Sequence, residues 1–158
     1  MQTQRAHFLD NRLPPLLVAL VVAAIMRGTV ALAPALFLHW PGRELVAWVL
    51  VVVGALVIFA GLASFTRHKT TVNPFEPATA SNLVDTGIYR RTRNPMYVGV
   101  AAALFGYAAF LSHPLALFVA LLFPAYIHRF QIAPEERALD RVFGEAYEAY
   151  KKRVPRWL

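Results

Sequence analysis

Residues 87–99 read Gly87-Ile88-Tyr89-Arg90-Arg91-Thr92-Arg93-Asn94-Pro95-Met96-Tyr97-Val98-Gly99. Three arginines stand just before a long apolar run. Asn94-Pro95 marks a helix start, because proline suits the first turn, where its missing N–H would be unpaired anyway. A helix that leaves a cationic loop and continues through Leu111 with no charged residue is a membrane helix whose flank lies in water. Outward from this point the chain repeats the pattern. Residues 13–38 are interrupted only by Arg27, and residues 45–65 carry no charge. Both are long enough to cross a hydrocarbon core of about 30 Å. Residues 96–111 and 115–130 are shorter and are joined by Ser112-His113-Pro114, a tight break. They predict a helical hairpin, tilted or extended by its flanks. The expected fold is all-α: one membrane-embedded domain over 1–158, with about four transmembrane helices and cytoplasmic segments at 66–95 and 131–158.

Composition agrees. At 58% hydrophobic and 16% charged, the chain is too apolar for an ordinary soluble domain. Its length leaves no room for a separate soluble nucleotide-binding domain. The absence of cysteine excludes disulfides, thiolate metal sites and a cysteine nucleophile. The histidines show no ligand spacing, so no metal is expected. The net charge of +7 gathers near the N-terminus, in 66–95 and in the C-terminal segment. The other two connections hold only Arg43 and Glu44, or nothing charged. This alternation follows the positive-inside rule and puts both termini in the cytoplasm, with a bacterial inner membrane as the expected setting. It accounts for the basic loops without nucleic acid. The first apolar segment is too long for a signal peptide and lacks a cleavage context.

From Pro134 to Lys152, Leu139, Val142, Phe143, Tyr147 and Tyr150 recur at three- and four-residue spacing. That predicts one amphipathic helix, lying on the membrane surface or covering the hairpin. Glu135 and Glu136 open it. They are either first-turn acids favoured by the helix dipole or carboxylates that accept from a polar ligand. Asn94-Pro95 offers free backbone N–H groups that attract an anion. Tyr89 and Tyr97 are either interfacial anchors or aromatic surfaces for a base or a cation. Arg27 within an apolar segment is either functional or snorkelling. Gly54, Gly61, Gly99 and Gly106 permit close helix packing.

The ordered set Gly-Ile-Tyr-x-x-x-Arg-Asn-Pro-Met-Tyr-Val-Gly, an apolar hairpin, and then Glu-Glu-x-x-Leu-x-x-x-Phe-Gly-x-x-Tyr-x-x-Tyr-x-x-Arg-Val-Pro-Arg covers about Thr70 to Trp157. It resembles the isoprenylcysteine carboxyl methyltransferase family and its bacterial relatives, a superfamily that includes phospholipid N-methyltransferases. The resemblance implies an integral membrane methyltransferase using S-adenosylmethionine. Its cofactor contacts fall on Ser81, Asn82, Leu83, Val84, Tyr89, Arg93, Asn94, Pro95, Met96, Tyr97 and Glu135. Eukaryotic members carry histidine at Asn94 and a substrate-contacting arginine at Gln131, where Arg129 is the nearest replacement. Glu136 is the expected general base if the acceptor needs one, and Arg27 and Arg129 are expected to orient an acidic head group. The acceptor is lipophilic or small: a carboxylate, an amine or a thiol, entering sideways from the membrane lipid. A bundle this small is also a possible homodimer. The alternatives are an NADPH-dependent membrane reductase of sterol-reductase-like architecture and a non-catalytic membrane protein.

Overall fold

The computed structural model describes Phe8 and residues 10–68 and 83–158. These residues form seven α-helices, with no strand among them. Helix α1 is Pro15–Leu32, α2 is Arg43–His68 and α3 is Pro95–Leu111. The chain then continues through α4 (Pro114–Ala120), α5 (Leu122–Ile127), a π turn (His128–Ile132) and α6 (Ala133–Phe143). Helix α7 is Glu145–Arg153. Three stretches, Pro15–Leu32, Arg43–Thr66 and Pro114–Phe143, are long and apolar enough to cross a membrane, and Pro95–Leu111 is a shorter apolar helix. The protein is an all-α integral membrane bundle.

Prolines punctuate it. Pro15, Pro95 and Pro114 each stand at a helix start. The first apolar segment does not stay helical to Leu38. Its helix stops at Leu32, Pro34 begins a separate 3₁₀ turn, and the Leu38 amide donates to the Ser112 carbonyl at 2.8 Å. The fourth segment and the amphipathic segment are not separate elements. They form one rod from Pro114 to Phe143, interrupted at Leu121 and at the π turn. Each interruption lies just upstream of an interior proline, Pro124 or Pro134. A proline cannot donate to the carbonyl four residues back, and its ring crowds that carbonyl. For Pro134 that carbonyl belongs to Phe130, and the wide turn gives it room. The Asn11 amide fills the bond from outside at 2.9 Å. The amphipathic stretch itself splits at Gly144, whose positive φ (49°) ends α6 and starts α7 at a new angle.

Helix α3 is central. One face joins α1 and α4–α5 in a core of Val18, Val22, Met26, Leu104, Phe123 and Ile127. The other face packs on α2, backbone against backbone. A Cβ added to Gly99 meets the Gly54 carbonyl at 2.5 Å, and one added to Gly106 meets the Ala47 carbonyl at 2.8 Å. The outer face of α2, with Leu45, Trp48, Val52, Leu56 and Phe59, is exposed and suits lipid. His113 is buried rather than a surface turn residue, and its Nε2–H donates to the Ala33 carbonyl at 2.9 Å.

The close approach makes a prediction. Gly99→Ala forces α2 and α3 apart and lowers the thermal unfolding midpoint in detergent, at an overpacking cost of about 1–3 kcal/mol. Gly28→Ala, where nothing lies within 4 Å, leaves the midpoint unchanged or slightly raised.

Candidate functional site

Residues 83–98, α6 and α7 meet at one end of the bundle. Gly87 has φ +59°, which turns the chain so that Tyr89 points inward. The Tyr89 ring packs edge-on against Phe65 of α2 at 5.5 Å, and its carbonyl accepts from the Tyr150 hydroxyl at 2.8 Å. Burial pushes the Tyr89 phenol above its ordinary range, helped by Tyr150 and Glu135 nearby. Burial also raises Tyr150, against the pull of Arg93. Both therefore stay neutral at physiological pH, and Tyr150 remains a donor. Val84 is buried, and Leu83 packs on the cluster of Tyr147, Tyr150 and Val154. Ser81 and Asn82 lie outside the described residues.

The first turn of α3 faces the first turn of α6. The Tyr97 hydroxyl donates to Glu135 Oε1 at 2.6 Å. No cation pairs with Glu135 among the described residues. Pro95 is fully buried and Met96 partly so, and both pack toward Gly61 of α2. Asn94 does not cap α3; its amide Nδ2 donates to the Arg156 carbonyl at 2.9 Å.

Glu136 has a different environment from Glu135. Arg93 Nη2 reaches its Oε1 at 3.1 Å, Arg156 Nε reaches the same oxygen at 3.1 Å, and Arg156 Nη2 binds its Oε2. Both oxygens thus accept from guanidinium donors. Glu136, the residue expected as general base, is the hub of an ionic cluster with Arg93 and Arg156. Adjacent positions on a helix point about 100° apart, which is why the two acids part company. Arg93, assigned by resemblance to the cofactor, spends one nitrogen on this hub. Its Nε and Nη1 are buried without a partner among the described residues.

The head-group arginines are not brought together. Arg27 is exposed on α1, five residues before its end, and lies about 18 Å along the helix from Pro15. The start of α1 is the end that meets the site, since Gln131 Nε2 donates to the Leu13 carbonyl at 2.5 Å. Arg27 thus sits toward the opposite surface, where snorkelling accounts for it. Arg129 is 46% exposed on its side chain and pairs with Asp10 at 3.4 Å, as Arg137 does at 2.8 Å. Gln131 is buried. Because the Leu13 carbonyl can only accept, the Gln131 amide nitrogen faces it and Oε1 is left without a partner among the described residues.

Sequence reasoning gave no role to Thr92, His128, Arg156 or Trp157. Thr92 is completely buried, with Oγ1 donating to the Arg156 carbonyl at 3.3 Å. Arg156 Nη1 donates to His128 Nε2 at 2.8 Å, and Trp157 lies beside the same ring. The one available signal was the Arg153-Val-Pro-Arg156 motif, which carried order but no partner.

Comparison with known proteins places this geometry. Residues 43–146, more than half of the chain, match the phospholipid methyltransferase family. An uncharacterized protein of Haemophilus influenzae is 38% identical over 63 residues, 40% of this chain and all of that protein. Protein-S-isoprenylcysteine O-methyltransferase of Rattus norvegicus is 32% identical over 125 residues, 75% of this chain and 44% of the relative. The enzyme of that name from Homo sapiens gives the same identity and the same coverage. The chain spans less than half the length of these mammalian relatives. No solved structure matches significantly. The chain belongs to the phospholipid methyltransferase family, a family of membrane methyltransferases.

Tyr150→Phe removes the donor to a buried carbonyl and lowers stability by about 1 kcal/mol in a denaturation experiment. An unchanged midpoint would mean that the Tyr89 segment does not depend on α7.

Proposed function

We propose that the protein is a methyltransferase that uses S-adenosylmethionine to methylate a lipophilic or small acceptor at the membrane surface. The observation that carries this reading is the buried Tyr97–Glu135 pair beside the uncapped start of α3. It is a polar pair at the boundary of an apolar bundle, in a chain of a methyltransferase family. The residues fit such a cofactor. Glu135 is an acceptor for hydroxyl or ammonium donors, and the first amides of α3 suit a carboxylate. Arg93 has two buried nitrogens to spare. Tyr89 and Tyr97 offer aromatic surface to a base or a sulfonium. By resemblance Ser81, Asn82, Leu83, Val84, Pro95 and Met96 complete the contacts, and Asn94 contributes only its main chain, its side-chain Nδ2 being held by the Arg156 carbonyl.

Held by Tyr89, Arg93, Tyr97 and Glu135, the cofactor would supply an electrophilic sulfonium methyl for transfer to an acceptor lone pair, with a thioether as the leaving group. The protein's part is to hold and orient both reactants and to keep water out. Positioning in a desolvated site supplies much of such a rate enhancement. A carboxylate acceptor needs no base at all. The polar end of the bundle faces the cytoplasm, with both termini, and the acceptor enters from the bilayer. Arg129, at that end, is the remaining candidate to orient an acidic head group.

Calorimetric titration of S-adenosylmethionine into detergent-purified protein tests the reading, with NADPH in parallel. Micromolar binding of S-adenosylmethionine is expected, weakened by about tenfold or more in Tyr97→Phe and Glu135→Gln, as loss of a charged hydrogen bond implies. Arg27→Ala leaves the affinity unchanged. Binding of NADPH instead would move the protein to the reductase class. Binding of neither by folded protein would remove the enzymatic reading.

A further inference from the structure

Asn94 holds the N-cap position of α3, where an asparagine side chain ordinarily accepts from the second or third N–H of the helix. No such bond forms here, and the Asn94 backbone (φ −132°, ψ 55°) lies outside the extended region of a capping residue. The side chain is held elsewhere. Its Nδ2 donates to the Arg156 carbonyl at 2.9 Å, and that carbonyl also accepts from Thr92 Oγ1 at 3.3 Å. Thr92 Oγ1 in turn accepts from the Asn94 amide at 3.1 Å, and the Arg93 amide donates to the Pro155 carbonyl at 3.0 Å. Three consecutive residues before α3 are thus tied to the main chain of Pro155–Arg156. That main chain is fixed by its own side chain, since Arg156 spans both oxygens of Glu136 and reaches His128. The result is a helix N-terminus that its own cap residue leaves open. Beside it, Arg93 has a nine-tenths buried side chain with two nitrogens lacking a partner among the described residues.

We propose that Arg156 is a positioning residue for the methyl donor. By pairing with Glu136 it holds the 155–156 strap against Thr92–Asn94, and this keeps the start of α3 free for the carboxylate end of the donor. The proposal rests on the S-adenosylmethionine reading above. Release of the strap frees the Asn94 side chain to fold back on α3 and take the same N–H groups, in competition with the ligand.

The test uses the full chain in detergent, with calorimetric affinity for S-adenosylmethionine and amide hydrogen exchange over residues 92–98. Arg156→Ala is expected to weaken binding by about tenfold or more, the scale of a lost charged hydrogen bond, with helical content intact. Arg156→Lys falls between, because a single ammonium cannot span two carboxylate oxygens. Arg153→Ala, which removes the contacts to Asp85 and to the Ala149 carbonyl but none to the strap, leaves affinity unchanged. Asn94→Ala added to Arg156→Ala restores most of the lost affinity, which loss of a mere prop does not predict. Unchanged affinity in Arg156→Ala, or a double variant as weak as the single one, overturns the proposal. If Arg156→Ala does not fold, Glu136→Gln and Thr92→Val loosen the same strap and must weaken binding in its place; normal affinity in both overturns it equally. Wild-type protein that binds no S-adenosylmethionine refutes the donor reading instead. The strap is then judged by exchange alone: faster exchange at 92–98 in Arg156→Ala supports it, and unchanged exchange removes it.

Discussion

A carboxylate taken out of water must be matched by charge, and at Glu136 that requirement organises one whole end of the molecule. Its side chain is 10% exposed and touches two guanidiniums. One comes from the loop before α3, the other from the segment after α7, and the acid itself starts α6. Removing one member of such a set strands the others in a low-dielectric setting, which makes the arrangement all-or-none. Because three remote segments must converge for the charges to balance, Tyr97 is brought to Glu135 and Asn94 is drawn off α3. The neighbouring acid, Glu135, has no cation partner among the described residues and accepts from Tyr97 instead.

The bundle beneath is held by different physics. In lipid, apolar side chains gain nothing by leaving their surroundings, so helices associate through close packing. The contact between α2 and α3 has that character: Gly54, Gly99 and Gly106 let carbonyls approach where any Cβ would collide. Proline supplies the remaining control. Pro134 deprives the Phe130 carbonyl of its partner and widens the helix at the π turn. The Asn11 amide then satisfies that carbonyl, which docks the segment before α1 onto the rod that carries Gln131 and Glu135. A local backbone defect is thereby turned into a tertiary contact within one turn of the site.

Much of this was legible in the sequence. The apolar runs, the bare and basic connections, the proline helix starts and the small-residue positions each follow from a local rule, because lipid admits only satisfied backbone. The ordered motifs singled out Tyr89, Asn94-Pro95, Tyr97 and Glu135, and the family they resemble is the one that residues 43–146 match. The pairing of Glu136 with Arg93 and Arg156 was not legible, since those partners belong to segments remote in the chain. Arg27 stayed open between a functional role and snorkelling, because the stop of α1 at Leu32 was not foreseen. Thr92, His128 and Arg156 carry no local signature, and the partners that tie them into the site lie 20 to 64 residues away. The sequence by itself determined an all-α membrane bundle with a polar end, because hydrophobicity, charge and proline act over a few residues. The tertiary structure alone decided which carboxylate is paired with arginines and which with a tyrosine hydroxyl, because such pairing depends on distances between segments that chain order does not encode.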